Sequence, residues 1–196
     1  PTAFGDFEAL VYSMPGEDRP IVALVKRGEN VHWGHQVLVR LNSECFTGDV
    51  LGSLRCDCGS QLMHALELIT GRGEGVLLYL PQEGRGIGLA EKIRAYALQD
   101  RGMDTVEANL HLGHPVDGRT YGFAAQVLKE LGIRSLTLLT NNPAKVAGIE
   151  QYGILVVARQ AIEVMPGQYN TRYLQTKRER LGHLLHATLE GMDTKK

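Results

Sequence analysis

The chain has 196 residues, of which 43% are hydrophobic and 22% charged, with a formal net charge of −1 at pH 7. This length is enough to bury one substantial core without disulfides. The near-neutral charge gives no sign of duplex DNA as a partner, and no run of about 18 apolar residues predicts a membrane span. The first residues lack the basic start and apolar run of a secretion signal, so we expect a cytoplasmic protein.

Stretches of β-branched and apolar residues between turn residues predict strands in this sequence. The predicted strands are Phe7–Met14, Ile21–Val25, Gln36–Leu41, Gly75–Leu80, Ser135–Leu139 and Ile154–Ala158. Apolar residues at helical spacing predict helices in the segments between them. The predicted helices are Gln61–Ile69, Ile87–Gln99, Phe123–Leu131, a helix that begins at about Pro143, and Thr171–Leu189.

The order of these elements predicts the fold class. Strands and helices alternate in the second half of the chain, which is typical of a layered α/β fold. The strand-rich first half favours a mixed sheet over a purely parallel one. We therefore expect a single layered α/β domain over residues 1–196, with a mixed β-sheet flanked by helices. We expect the C-terminal tail from about residue 190 to be flexible.

The only three cysteines, Cys45, Cys56 and Cys58, lie close together in the sequence. A disulfide would pair two of them and leave the third unused. A zinc site uses all three and leaves a fourth position open for water, as catalytic zinc sites do. Because zinc-bound water has a pKa near ~7, such a site supplies hydroxide at neutral pH and indicates a hydrolase. The alternative is three ordinary buried cysteines, but the polar, glycine-rich surroundings favour the metal.

Two histidine pairs offer further metal ligands. His111 and His114 are three residues apart, and so are His183 and His186. The second pair falls in the predicted final helix, where an ordinary surface or interface role is the simpler interpretation. We give the first pair the same interpretation, because three thiolates already suffice for a site that also holds water.

A glycine-rich segment, Pro81–Gly88, directly follows the predicted strand Gly75–Leu80. Glycines let the backbone approach a ligand closely, and backbone N–H groups at the start of the next helix favour an anion. Arg85 adds a forked, permanently charged donor group that suits phosphate. The segment is not a Walker loop, and a plain strand-to-helix turn with a solvated arginine is the structural alternative.

A second candidate anion site is the segment Thr140–Lys145. Asn142 is a suitable helix cap, and Pro143 suits the first helical position. Lys145 then falls in the first turn, where a cation opposes the helix dipole. We therefore expect Lys145 to need an anionic partner, which a phosphate would supply.

A third segment contains Asp117 and Arg119 on either side of a glycine in a predicted loop. On local sequence alone, an exposed turn with an incidental ion pair accounts for them.

Six motifs that occur in order give the chain a clear resemblance. They are Ser43–Asp49, Arg55–Gly59, Gln82–Gly88, Lys92–Asp100, Asp104–Asn109 and Leu139–Lys145. Together they resemble GTP cyclohydrolase II, the family that begins riboflavin synthesis, and the resemblance runs from about Thr2 to about Leu185.

The resemblance implies a zinc-dependent reaction on GTP, in which the imidazole ring opens, C8 leaves as formate and pyrophosphate is released. The product is a diaminopyrimidinone that carries ribose 5-phosphate. It also implies one Zn²⁺ per subunit, Mg²⁺ on the substrate phosphates and a homodimer, with neither nucleic acid nor a membrane as partner.

Functional residues are implied position by position. Cys45, Cys56 and Cys58 match the zinc ligands. Asp117 matches the proposed proton acceptor, Arg119 the proposed nucleophile and Tyr96 a tyrosine at the reacting base. The positions that match GTP contacts are Arg40, Leu41, Asn42, Ser43, Glu44, Gln61, Glu83, Gly84, Arg85, Thr105, Thr140 and Lys145.

Chemistry refines three of these implied roles. A nucleophilic Arg119 requires a neutral guanidine, which a pKa above ~12 makes rare. A cation that stabilises the charged transition state is the less demanding role for it. The Glu83 carboxylate could read the N–H edge of guanine, since a carboxylate accepts from paired donors. Lys145, together with magnesium, would bind phosphate oxygens.

The chain departs from the family pattern at two positions. Asn42 stands where relatives commonly carry histidine, and Thr120 follows Arg119 where an acidic residue is common. Two alternatives to the full reaction remain open. One is a paralogue that opens the ring but retains the formyl group, and the other is a non-catalytic nucleotide-binding regulator.

Overall fold

The computed structural model of this chain describes residues 1–16, 18–28 and 33–186. Within them, six strands form one sheet in the order β1-β2-β4-β3-β5-β6. The strands are β1 (Glu8–Tyr12), β2 (Ile21–Lys26), β3 (Val37–Ser43), β4 (Gly75–Leu80), β5 (Ser135–Leu139) and β6 (Leu155–Gln160). The helices are α1 (Cys58–Arg72), α2 (Glu83–Gly86), α3 (Gly88–Gln99), α4 (Thr105–His111), α5 (Gly122–Glu130), α6 (Pro143–Glu150) and α7 (Thr171–Leu181), with one π-helical turn at Phe46–Val50.

The sheet is mixed, as the order of the elements predicts. The pairs β1–β2 and β2–β4 are antiparallel, whereas the pairs β4–β3, β3–β5 and β5–β6 are parallel. The central strand β4 is buried at five of its six positions. A strand with both faces covered reads as a continuous apolar run, which is why its bounds are visible in the sequence. The predicted α/β class with a mixed sheet is confirmed.

Two apolar clusters lie on opposite faces of this sheet. Leu78 and Leu138 pack with Leu128 of α5 in one cluster, whereas Leu77 packs with Ile69 of α1 in the other. Successive side chains of a strand point to opposite faces, so the neighbours Leu77 and Leu78 serve different clusters. The sheet is therefore covered by helices on both sides.

The chain divides into two compact units. The first contains residues 1–43, 62–81 and 120–162, with all six strands and both apolar clusters. The second contains residues 44–61, 82–119 and the segment from Glu163 onward, with the cysteines and helices α2, α3, α4 and α7. The single domain over residues 1–196 stays a prediction. Among the described residues, no helix has the length and apolar character that crossing a bilayer requires.

The predicted last helix is too long. Helix α7 ends at Leu181, because Gly182 adopts the left-handed conformation (φ 65°) and its N–H donates to the carbonyl of Lys177. This is a common helix end. His183 and His186 therefore lie beyond the helix. The rest of that predicted helix, from residue 187, and the tail from residue 190 lie outside the described residues.

Helix α4 is one of the elements that the sequence analysis missed. Asp104 caps it by accepting hydrogen bonds from the N–H groups of Val106 and Glu107, and the Glu107 side chain accepts from the Asp104 N–H. This reciprocal capping box is readable as an Asp followed three residues later by Glu. The signal was present, but the helix is too short to show apolar periodicity.

Candidate functional site

The three cysteine side chains converge in the second unit. Their sulfur atoms all lie within 4.8 Å of one another, and the Sγ atoms of Cys45 and Cys56 are 3.6 Å apart. Sulfur ligands about 2.3 Å from a tetrahedral zinc lie about 3.8 Å from each other. Cys45 and Cys56 are buried, and all three thiols are free. The cluster thus has the spacing that a metal ion requires, and the predicted convergence of these residues is confirmed.

Two glycines make room for the cluster. A Cβ atom on Gly48 would lie 3.0 Å from the sulfur of Cys56 and 3.1 Å from that of Cys45. A Cβ atom on Gly59 would lie 2.3 Å from the carbonyl oxygen of Gly48. The turn after Cys45 and the start of α1 therefore approach each other at a distance that only glycine permits.

The surroundings of the three thiols shift their pKa values in different directions. Hydrogen bonds from the Cys56 and Cys58 thiols, and then from Lys92, hold the pKa of Cys45 far below its ordinary value. The hydrogen bond with Cys45 and burial raise the pKa of Cys56 to about 11. Hydrogen bonds with the other two cysteines, together with burial, also raise the pKa of Cys58 well above normal. A bound metal requires deprotonated thiols, so a divalent ion held by the three cysteines would displace protons from this cluster.

A buried ion pair lies beside Cys45. The Nζ atom of Lys92 is 3.0 Å from the Cys45 sulfur and 2.8 Å from Oε1 of Glu83. The Glu83 carboxylate also accepts from the N–H groups of Phe46 (2.6 Å) and Gly84 (2.8 Å). Both carboxylate oxygens are engaged inside the protein, which argues against the expected role of Glu83 as a reader of guanine.

A second buried ion pair lies between the other two cysteines in the sequence. Asp57 is 3% exposed, and its Oδ1 accepts from the Nζ atom of Lys177 at 2.6 Å. Its Oδ2 accepts from Nε2 of Gln61 at 2.5 Å. Lys177 of helix α7 thus holds the one residue between Cys56 and Cys58, and Gln61, a predicted GTP contact, bonds to the same carboxylate.

Arg85 combines backbone strain with an unsatisfied charge. It has φ 65° although it is not glycine, and its buried Nη1 atom has no hydrogen-bond partner among the described residues. A non-glycine residue in this conformation costs energy that the surrounding structure must offset, and such residues cluster at functional sites. The carbonyl of Arg85 accepts from the N–H of Gly118 at 3.0 Å, which joins this loop to the loop of Asp117 and Arg119.

Asp117 and Arg119 form an ion pair, as expected from their spacing. The Nε atom of Arg119 is 2.9 Å from Oδ1 of Asp117, and its Nη2 atom is 2.5 Å from Oδ2. Burial alone would raise the pKa of Asp117, but the hydrogen bonds and charge of Arg119, with the charge of Arg85, lower it overall. The carboxylate is therefore a weak base, and the guanidinium is held as a cation.

The ring of Tyr96, on α3, lies near two cations. Its ring centroid is 5.1 Å from the guanidinium carbon of Arg55 and 5.7 Å from the ammonium of Lys92. Burial is the main reason why the pKa of Tyr96 is raised, although a hydrogen bond with Thr47 and the charge of Lys92 oppose it. Its phenol therefore stays protonated at neutral pH and can donate a proton.

Three more of the predicted GTP contacts lie in the second unit: Thr105, Glu44 and Gly84. Thr105 is the first residue of α4 and lines a cavity of about 190 Å³ with Arg55, Arg172 and Tyr173. Glu44 precedes the first cysteine and is buried, and Gly84 has φ 62°.

The first unit holds the other predicted GTP contacts. Leu41, Asn42 and Ser43 form the end of β3. The Nη1 atom of Arg40 donates to the carbonyl of Leu139 at 3.0 Å. Thr140 follows β5, and its Oγ1 accepts from the N–H of Asn142, which caps α6 as predicted.

Lys145 is buried, and its Nζ atom donates to the carbonyl of Leu41 at 2.7 Å. This backbone carbonyl satisfies one of the three donors of the ammonium group. The expectation that Lys145 has an anionic partner stays a prediction.

The buried charged residues beside the cysteines that sequence reasoning missed are Lys92, Asp57 and Lys177. Lysine is mostly exposed in proteins, so nothing local marks Lys92 or Lys177 as buried. Asp57 carried a weak signal, because an acidic residue between two closely spaced cysteines is an unusual choice for a plain turn.

Comparison with known proteins finds one matching family and many similar sequences. The sequence model of the family described as GTP cyclohydrolase II matches residues 1–161. Three relatives, each named "Riboflavin biosynthesis protein RibBA", come from Salinispora tropica (58% identical), Bacillus cereus strain ATCC 14579 (55%) and Phocaeicola vulgatus (49%), each over 186 residues. The matches cover 94–95% of this chain but 46% of each relative. The chain thus spans about half the length of the curated relatives it matches.

Proposed function

We propose that this chain, which belongs to the GTP cyclohydrolase II family, catalyses the zinc-dependent hydrolysis of GTP. The products would be 2,5-diamino-6-ribosylamino-4(3H)-pyrimidinone 5′-phosphate, formate and pyrophosphate, in the first step of riboflavin biosynthesis. The observation that carries the proposal is the convergence of three free cysteines whose sulfur atoms lie within 4.8 Å. The rest of the proposal assigns work to the residues around them.

The donor set suits zinc. Three thiolates without a disulfide leave one tetrahedral position open, and thiolate ligands favour zinc over harder ions such as Mg²⁺. A zinc ion held by Cys45, Cys56 and Cys58 would supply a water of lowered pKa for attack on carbon. Gly48 leaves space beside two of the sulfur atoms.

Tyr96 would supply a proton to the opening ring. Its raised pKa keeps the phenol protonated at neutral pH, and a nitrogen that leaves carbon needs a proton. The cations of Arg55 and Lys92 near its ring limit the orientations that this side chain adopts.

Arg119 would stabilise negative charge during release of pyrophosphate. Asp117 holds its guanidinium through two hydrogen bonds, so the group stays charged and oriented. This supports a cation that binds the phosphates over a nucleophile, and it makes Asp117 the residue that positions Arg119. Arg85, with its unsatisfied buried Nη1 atom, would donate to a phosphate oxygen, and Mg²⁺ would bind the same phosphates.

The remaining predicted contacts enter the proposal with the family's roles. They are Arg40, Leu41, Asn42, Ser43, Glu44, Gln61, Gly84, Thr105, Thr140 and Lys145 for GTP. A homodimer and a cytoplasmic location are likewise proposed on the family's precedent.

A product assay tests the proposal. Zinc-loaded protein is incubated with GTP and Mg²⁺, and formate, pyrophosphate and the pyrimidine are quantified by mass spectrometry. We expect formate and pyrophosphate in equal amounts, and loss of both in Cys56→Ser. Arg94→Met, which removes an exposed cation of α3, should retain turnover.

Two other outcomes would overturn it. A formylated pyrimidine without free formate would identify a paralogue that stops after ring opening. Bound but intact GTP would identify a nucleotide-binding protein without catalytic activity.

A further inference from the structure

Lys92 occupies an unusual position for a lysine. It lies on α3 with a relative exposure of 8%, although lysine is almost never buried without a partner. Burying an ammonium group costs several kcal/mol unless its donors are satisfied. Lys92 satisfies two of them with the Cys45 sulfur at 3.0 Å and Oε1 of Glu83 at 2.8 Å.

Glu83 fixes this lysine and also the backbone next to the cysteine. Its Oε1 accepts from Lys92 and from the N–H of Gly84, and its Oε2 accepts from the N–H of Phe46 at 2.6 Å. Phe46 directly follows Cys45. The same ion pair therefore holds both the sulfur atom and the main chain of this cysteine.

The neighbouring residues are shaped around the pair. Gly84 has φ 62°, and a Cβ atom there would lie 2.9 Å from the Ile87 side chain and 3.2 Å from Cβ of Lys92. The short helix α2, which contains Glu83, thus packs closely against the start of α3. This close packing leaves Lys92 little freedom to turn away from Cys45.

A hydrogen bond to a thiolate has an electronic consequence. It draws electron density from the sulfur and weakens its donation to a bound metal ion. Groups that bond to a metal ligand from outside orient that ligand and tune the metal, and their loss typically lowers metal affinity on the order of 10- to 100-fold. In the other buried pair, Lys177 bonds to the carboxylate of Asp57 and not to a sulfur.

From this geometry we infer that Lys92 is a positioning residue of the metal centre: its N–H···S hydrogen bond, fixed by Glu83, orients Cys45 and reduces the electron density on its sulfur. The inference rests on the proposed metal site. It makes the three cysteines unequal, with Cys45 the weakest donor to the metal.

Cobalt substitution tests this inference without reference to turnover. Thiolate-to-Co²⁺ charge-transfer absorption requires less energy when the sulfur carries more electron density. We expect the band of the Co²⁺ form of Lys92→Met to shift to lower energy than in the wild type. We expect the affinity for Co²⁺, measured by competition with a chelator, to fall about 10- to 100-fold. Lys92→Arg, which keeps a charged donor, should restore most of the band position.

Lys177→Met is the matched control. It breaks a buried lysine–carboxylate pair of similar exposure in the same unit, so it reproduces any general loss of stability. Its charge-transfer band should stay near the wild-type energy. Equal shifts in the two variants, or no shift in either, would overturn the inference.

The double variant Lys92→Met/Glu83→Gln covers the case in which the single variant does not fold. It leaves no unpaired buried charge, and it should show the same band shift as Lys92→Met. Wild-type protein that binds no Co²⁺ would overturn the inference together with the metal site. A band shift in protein that leaves GTP intact would instead support Lys92 and count only against the proposed reaction.

Discussion

The two units of this chain bury different kinds of side chain. In the first unit, Leu41, Leu78 and Leu138 are fully buried in an apolar cluster. In the second, the pairs Lys92–Glu83 and Lys177–Asp57 are buried around three cysteines. Apolar burial stabilises a fold without any ligand, whereas buried ion pairs repay their desolvation only when the geometry is right. The first unit should therefore be stable by itself, and the second should depend on the metal.

Loss of the metal should have the largest effect, and it should be confined to one unit. We expect Cys56→Ser to reduce the metal content from about one ion per chain to near zero, because two ligands do not make a site that holds zinc. Amide hydrogen exchange should then accelerate in residues 44–61 and 82–119 while the sheet strands stay protected. Ser60→Ala, an exposed neighbour on α1, is the control. Equal acceleration of exchange in both units would contradict the inference that only the second unit depends on the metal.

A cavity created in the sheet should lower the stability of the protein and leave its metal content unchanged. Leu78 is fully buried in the centre of β4, so Leu78→Ala should lower the free energy of unfolding by about 2–5 kcal/mol. The metal content of the folded protein should not change. Leu155→Ala, at an exposed position of β6, should stay within about 0.5 kcal/mol of the wild type in urea denaturation. Loss of metal from folded Leu78→Ala protein would show that the units are not independent in this respect.

The smallest effect should come from the Asp117–Arg119 ion pair. It should appear as a change in the free energy of unfolding with pH. The pKa of Asp117 is lower in the folded protein than its ordinary value. The pair's contribution is therefore fully present above the unfolded pKa of about 4 and is lost as the pH falls through the lower folded pKa. Because the Asp117 side chain is 36% exposed, solvent screening limits this contribution to roughly 1 kcal/mol.

Comparison of Asp117→Asn with the wild type tests whether the pKa of Asp117 is lowered in the folded protein. The variant should be slightly less stable to urea from pH 5 to pH 8, by a constant amount, and the difference should shrink below pH 4. A difference that grows as the pH falls would mean that the folded pKa of Asp117 is raised instead.

Much of the first unit could be predicted because its signals are local. The strands Gly75–Leu80 and Ser135–Leu139 have the predicted bounds to the residue, since each is a short apolar run between polar or turn residues. The last helix was predicted too long because one glycine, Gly182, can continue or end a helix. Helix α4 was missed because a capping box was its main signal.

The candidate site was predictable only in part. Cys45, Cys56 and Cys58 were identifiable because few uses other than a metal bring three thiols together outside disulfides. The partners of the two buried lysines were not identifiable. Lys92 contacts a cysteine 47 residues away and Lys177 contacts an aspartate 120 residues away. No local pattern distinguishes these lysines from solvated ones.

The sequence by itself therefore determined the strands, most of the helices, the α/β class and the three cysteines as a group, because these depend on residue type and short-range spacing. Only the tertiary structure decided which charges are buried, that Lys92 bonds to the Cys45 sulfur, and that Glu83 and Lys145 already have partners within the protein. The physical reason is that the cost of burying a charge depends on every group around it, and distant parts of the chain supply those groups.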